Sequence, residues 1–572
     1  MSTRFARTCE PVLAGGSDAC AEGLRGRVAL DARQAESLAA LDEFGTREAL
    51  VARLGERPGL APARAGRVLD ELIERGLVAP AIEHLGPPRA SPPLADPLIV
   101  IREHGRQQSL QRLFVSLLAD EQRFGMRRRY LVVDDAPDAA TSAAIATLVR
   151  EFASRTRSRV FLLDPAARAR CVARWRAFVP AARGDDLAEL FDRQFARCTT
   201  GARAWNLGVL AAAGGGLSFV DNDTTFPLRR APDASASYEP FNSLWSFTRY
   251  VDDGQFDVLP RFDAEPYAWI ASHVGASART LVERHGWHEA LLDGQPADAL
   301  AHCRGGAPVL AAFGGVYGGL AYNSTAWLNT GIPEDLAPLW QSPYRHARLE
   351  GDSLMHGTLA PRLVDQAFYA PMLCDARELL PFAGTRGMAD DTFFLGLLGA
   401  MVREPLFAYL PTLLGHFPVE GRSRLQRSLE PLLLDRNSLV RDLFATSAKR
   451  LAGDDRRARL AAIGRDCGAL ATATDTELDA TVLAWRRRYV GNLVKGIANA
   501  LEDAPDAPAE WRAHATRVRE VNLAALDATV LEAADRAAWR ALLEQVDLAA
   551  DAWPRIWDDV RERPLLEGLA LQ

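Results

Sequence analysis

The chain has 572 residues, too many for one ordinary domain and enough for roughly two to four. Hydrophobic residues make up 48% and charged residues 25%, which excludes a wholly disordered, collagen-like or mucin-like chain. A formal net charge of −7 argues against nucleic acid as the main partner.

The seven cysteines (Cys9, Cys20, Cys171, Cys198, Cys303, Cys374, Cys467) are scattered, and none forms a C-x-x-C pair. The pattern predicts a reducing compartment, a cytoplasmic location and no zinc cage. Met1 to Gly15 carries Arg4 and Arg7 but no apolar core of signal-peptide length. The longest uncharged run, Gly305 to Pro333, is rich in Gly and contains Asn323, Ser324, Thr325 and Asn329. Strand and Gly-rich loop fit it better than a membrane span, so no transmembrane segment is expected.

In chain order, the first region (1–85) predicts three short helices followed by a strand. Leu38, Leu41 and Phe44 are apolar at helical spacing, and Thr46 caps a helix carrying Leu50, Val51 and Leu54. A further helix follows Pro62, with Val68, Leu69, Leu72 and Ile73 on one face and Gly76 as its stop. Leu77 and Val78 then leave in extended form. A Pro-rich linker from Gly86 to Pro97 closes the region.

The second region (97–424) alternates strand and helix. Strands are expected at Leu98–Ile101, Tyr130–Val133, Val160–Leu163 and Leu217–Val220, with helices at Ser109–Ala119, Ala139–Phe152 and Gly201–Ala213. This order implies a parallel sheet, whose ligands bind beyond the carboxyl ends of the strands. Two acidic clusters, Asp134-Asp135 and Asp221-Asn222-Asp223, sit at such ends. Paired carboxylates after a buried strand suit Mg²⁺ or Mn²⁺, which take one or two carboxylates and leave positions for phosphate oxygens. An acidic turn without a metal has the same spacing. The third region (425–572) is nearly all helix by periodicity, with Leu478, Val482, Trp485, Leu493, Val494, Ile497 and Leu501 in helical register.

Over roughly residues 97 to 420 the chain resembles the GT-A glycosyltransferases, particularly family-2-like enzymes. Ile99 to Leu110 looks like their opening strand and N-R-x-x-x-L turn, and Val132-Val133-Asp134-Asp135 like the strand end that contacts nucleotide base and ribose. Gly201 to Gly208 is similar to the G-x-x-x-A-R-N-x-G helix. Trp205 stands where Arg is usual, with Arg203 as the alternative cation. Asp221-Asn222-Asp223 matches the D-x-D, and Arg386 to Phe394 looks like the acidic motif opening the helix under the acceptor site.

The resemblance implies an α/β GT-A domain, preceded by a small winged-helix domain and followed by an all-α region. It implies transfer, with inversion, from a nucleotide-diphosphate sugar. Asp221 and Asp223 would hold Mn²⁺ or Mg²⁺, with His416 as a third ligand. Asp134 or Asp135, Arg106, Asn206 and Asp221 would bind the donor. Asp391, the second acid of its motif, would act as general base, with Asp390 as the alternative.

Seventeen aromatics fall between Phe226 and Tyr344, among them Phe241, Trp245, Tyr267, Trp269, Tyr317, Tyr322 and Trp327. Such faces suit sugar and peptide acceptors, and equally a core. The N-terminal region resembles the small winged-helix leader-recognition domains of enzymes that modify ribosomal peptides, carried by Leu38–Phe44, Glu48–Leu54 and Val68–Val78. That implies a ribosomally made peptide as acceptor, beside other protein or glycan acceptors. A structural or dimerising role also fits. DNA binding is disfavoured because Asp70, Glu71 and Glu74 share the last helix with Arg64, Arg67 and Arg75. A different class remains open: a non-catalytic binding or regulatory protein on a degenerate transferase domain.

Overall fold

In the computed structural model, residues 3–571 are described except 10–11, 14–18, 24–25, 58–59, 93, 95, 196–200, 243–246, 252, 319–352, 368–371, 388, 418–434, 454, 508, 525 and 527–529. The N-terminal module opens with strands β1 (Arg4–Arg7), β2 (Val12–Leu13), β3 (Ala19–Gly23) and β4 (Gly26–Leu30). Helix α1 (Ala32–Ala39), strand β5 (Gly45–Thr46), helices α2 (Arg47–Gly55) and α3 (Pro62–Glu74), and strand β6 (Val78–Pro80) follow. Thr46 caps α2 by accepting from the Ala49 amide, Pro62 starts α3, and Gly76 takes φ 69° just past its end.

Two expectations need correction here. Helix α1 ends at Ala39, so Leu41 and Phe44 reach the core from the segment after it. The β3–β4 hairpin precedes the helices, and β1 pairs with both β5 and β6.

The module is docked rather than tethered. The Phe44 amide donates to the Gln295 carbonyl (2.8 Å), the Ala297 amide to the Asp42 carbonyl (2.7 Å), and Arg304 to the Thr8 carbonyl (3.0 Å). The linker is pinned as well. The Arg89 amide donates to Ser277 Oγ, and Gly86, at φ 71°, lies where a Cβ would clash with the Arg304 backbone.

The second region builds one eleven-stranded sheet among the described residues. Strands β7 (Leu98–Glu103), β8 (Arg129–Asp134), β9 (Arg159–Leu163) and β10 (Gly216–Asp221) are mutually parallel, as expected. Helices α4 (Gln107–Phe124), α5 (Ala139–Arg155), α6 (Pro165–Trp175), α7 (Gly184–Ala188) and α8 (Ala202–Ala211) connect them.

The sheet as a whole is mixed. After β11 (Thr224–Arg230) and β12 (Phe247–Val251) come β13 (Val309–Gly318), β14 (Ser353–Gly357), β15 (Arg362–Val364), β16 (Leu373–Asp375) and β17 (Leu406–His416). The main order is β11-β17-β13-β16-β10-β7-β8-β9, with β16 antiparallel to β10 and β11 antiparallel to β17. Gly314 to Gly318 lies inside β13; at Gly315 and Gly318 neighbouring backbone approaches too closely for a Cβ, and at Gly314 the Met372 and Thr412 side chains do.

Strand alternation sends side chains to two cores. Ile99, Ile101, Tyr130 and Val132 pack with α4 and α5 on one face. Leu98, Val100, Leu131, Val133, Leu217 and Phe219 face the other way, into a core shared with the C-terminal helices Arg456–Ala471, Asp475–Asp503 and Ala533–Glu562. Trp553 joins them directly: its Nε1 donates to the Leu380 carbonyl (2.7 Å), and its ring packs on Phe191 and Phe382. The helical region and the sheet therefore bury one continuous core.

Candidate active site

The carboxyl ends of β7, β8 and β10 lie side by side, with Arg102 in register with Asp221 and Glu103 with Asp134. Glu103 is buried and knits these ends together. It accepts from the Gly105 amide (2.6 Å), the Arg106 amide (2.5 Å) and Asn222 Nδ2 (2.9 Å). A buried carboxylate with three donors is a rigid brace rather than a reacting group.

Asp223 and His416 meet because β11 pairs with β17, placing Thr224 opposite His416. Nε2 of His416 stands 3.2 Å from Asp223 Oδ1, and Arg106 reaches Asp223 Oδ2 at 3.1 Å. Burial works against ionisation of Asp223, but His416 and Arg106 outweigh it and hold its carboxyl at about 2.

Among the described residues no group of three or more His, Cys, Asp and Glu side chains stands in ligand geometry. The pair nevertheless fits a cation. Asp223 Oδ1 is a buried oxygen whose near polar neighbour is His416 Nε2 at 3.2 Å, and two cis ligands of an octahedral ion at about 2.1 Å stand about 3 Å apart. Asp221 ends β10, two residues before Asp223. Arg102 engages its Oδ1, and the side chain stays partly exposed.

The expected acidic helix begins at Asp390 and runs to Met401. Asp390 is fully engaged: its Oδ2 accepts from Arg102 Nη1 (3.1 Å) and its Oδ1 from the Asp391 amide (3.1 Å). Burial raises its carboxyl to about 6, against the pull of Arg102 and with the push of Asp391 and Asp221. Asp391 uses only Oδ1, toward the Thr392 amide (2.7 Å) and hydroxyl (3.3 Å). Burial also raises the Asp391 carboxyl, opposed by the Thr392 amide and Arg102. A carboxylate with one open oxygen and a raised pKa is what a general base requires, and of the two acids it is Asp391 that has it.

The two acids at the end of β8, Asp134 and the following Asp135, are both engaged, by different partners. Asp134 turns inward to the Ala136 amide (2.9 Å) and the Ser142 hydroxyl. Asp135 stands among Arg168 (3.5 Å), Arg203 (3.4 Å) and His104 (3.7 Å). Burial opposes its ionisation, and these neighbours lower its carboxyl pKa on balance.

Asn206, expected among the donor-binding groups, has its amide engaged by backbone. It is fully buried, its Nδ2 bonds the carbonyls of Leu190 and Ala383, and its Oδ1 takes the Ala383 amide. Trp245, Tyr322 and Trp327 lie outside the described residues. Tyr267 and Tyr317 are buried core.

Sequence reasoning gave no role to Arg102, which sits at the centre of the cluster. Its Nε bonds Asp221 (2.9 Å), its Nη1 bonds Asp390, and its guanidinium lies 5.1 Å from the Trp205 ring centroid. The available signal was an arginine next to the end of a largely apolar strand beside a D-x-D strand. Comparison with known proteins adds no relative: no family model, no curated protein and no solved structure matches the chain.

Proposed function

We propose that the chain is a metal-dependent, inverting glycosyltransferase of GT-A type that uses a nucleotide-diphosphate sugar. The observation that carries this reading is the facing pair Asp223–His416, with the open oxygen of Asp391 on a neighbouring element that Arg102 ties to the same turn. Asp223, His416 and Asp221 would hold Mn²⁺ or Mg²⁺. When bound, the ion neutralises charge developing on a diphosphate leaving group. Asp135, set by Arg168 and Arg203 at the end of β8, orients the nucleotide. Arg106 holds Asp223 and offers its remaining donors to phosphate.

Asp391 Oδ2 takes the proton of an acceptor hydroxyl or thiol as that atom bonds the anomeric carbon. The bond from that carbon to the diphosphate breaks, and the nucleotide diphosphate leaves. A peptide acceptor would be held by the docked N-terminal module; protein and glycan acceptors share the same chemistry.

One observation favours a second reading, a binding or regulatory protein on a degenerate transferase domain: Arg102 already engages one oxygen of Asp221. A single assay separates the two. Incubation with Mn²⁺ and a panel of nucleotide sugars and acceptors should release nucleotide diphosphate with wild type and not with Asp223→Ala. No metal-dependent release, or equal release by the variant, refutes the transferase.

A further inference from the structure

The two halves of the candidate site come from distant chain segments, the Asp-Asn-Asp turn after β10 and the helix beginning at Asp390. Arg102 is the side chain bonded to both. Its Nε and Nη2 bond Asp221 Oδ1, and its Nη1 bonds Asp390 Oδ2. The guanidinium is largely buried, lies over Trp205, and is held by a strand whose backbone pairs in register with that of Asp221.

Space is reserved for this arrangement. At Gly201, the N-cap of α8, a Cβ would stand 2.9 Å from Arg102 Nη1 and 3.1 Å from Asp390 Oδ2. A planar fork can present two edges to two carboxylates at a fixed separation; an ammonium on a flexible stem can supply the charge without fixing that separation.

We propose that Arg102 is a positioning residue that couples the Asp221 turn to the Asp390 helix, so that the open oxygen of Asp391 is held in place relative to the donor side of the site. The assignment rests on the transferase reading for its catalytic consequence, but the coupling itself is a property of the folded chain. Arg102 touches no substrate in this scheme; it acts through Asp221 and Asp390.

Two measurements on the full-length protein test this. The first needs no activity. Hydrogen exchange is followed at the amides of residues 390–394 in wild type, Asp221→Asn, Arg102→Gln and the double variant. Asp221→Asn should raise exchange there in wild type, and should add nothing in the Arg102→Gln background. Equal increments in both backgrounds, or no response of 390–394 to Asp221→Asn, overturn the coupling.

The second measures turnover, together with Mn²⁺-dependent binding of UDP and GDP. Arg102→Gln should lower kcat by about a hundredfold, the scale of a 1 Å misplacement, while nucleotide affinity moves less than about threefold. Arg102→Lys should keep that affinity and recover only part of kcat. Full recovery by Lys makes Arg102 a neutralising charge and removes the positioning role. Equal loss of binding and turnover, in step with a lowered Tm, makes it a structural residue only. If wild type neither binds nucleotide with Mn²⁺ nor turns over, the transferase reading fails, and the exchange experiment still decides the coupling.

Discussion

Replacing Asp391 by Asn removes the candidate base while leaving its surroundings in place. Oδ1 of Asp391 accepts from the Thr392 amide at 2.7 Å, and an Asn oxygen can keep that bond. Only the open Oδ2 changes, from a proton acceptor to an amide donor. General-base removal costs about 10²- to 10⁴-fold in rate, or about 3–5 kcal/mol of transition-state stabilisation. Stability should move little, so Tm serves as the internal control.

The pH dependence follows with a definite sign. Burial raises the Asp391 carboxyl from its ordinary value, and the group must be ionised to accept a proton. Wild-type kcat/KM should therefore be full above that raised pKa and fall as pH drops through it. Asp391→Asn should lose this acid limb along with most of the rate. Asp390→Asn should keep the acid limb and cost up to about a hundredfold, as Arg102→Gln does, because it weakens the same Arg102 contact. A rate for Asp391→Asn within threefold of wild type at saturating donor and acceptor, or an unchanged acid limb, refutes the base assignment.

Further outcomes follow from the same contacts. Asn206→Ala removes three buried hydrogen bonds and should cost about 3 kcal/mol in denaturant unfolding while leaving donor KM within threefold. Trp553→Ala should cost about 3–5 kcal/mol, and unfolding should remain one transition if sheet and C-terminal helices share a core. His84 is fully buried where the module meets the main body; burial, with Arg304 nearby, lowers it from 6.5 to about 4. Because the unfolded chain takes up that proton first, stability should fall between pH 6.5 and 4 by about 3 kcal/mol. His84→Phe should flatten that fall, as measured by Tm against pH; an unchanged slope would exclude His84 as its source.

Most elements were legible from local chemistry alone. Leu98–Ile101, Tyr130–Val133 and Val160–Leu163 are short apolar runs between polar breaks, and each became a strand in parallel register with its neighbour. Thr46, Pro62 and Gly76 marked helix ends because capping and φ preference act within a few residues. The placement of Asp135, Asp221 and Asp223 at strand ends followed for the same reason.

What lay beyond the sequence was everything set by strand order and by contacts between distant segments. Nothing local to β16 tells it to run antiparallel between β10 and β13, and nothing local to His416 tells it that β11 will place Asp223 beside it. The resemblance already favoured Asp391 over Asp390, but which oxygens are engaged came from packing: Asp134 and Asp390 are held by neighbours, while Asp391 keeps an open oxygen. Asn206 matched a motif position, yet tertiary structure buried it among backbone groups. Arg102 was invisible as a site residue because its partners lie 119 and 288 residues away. Composition and periodicity determined which segments would be strands and helices and which acids would stand at strand ends. Only the folded sheet decided which of those acids face one another, because side-chain partnership depends on which strands become neighbours, and that is settled by burial of both faces at once.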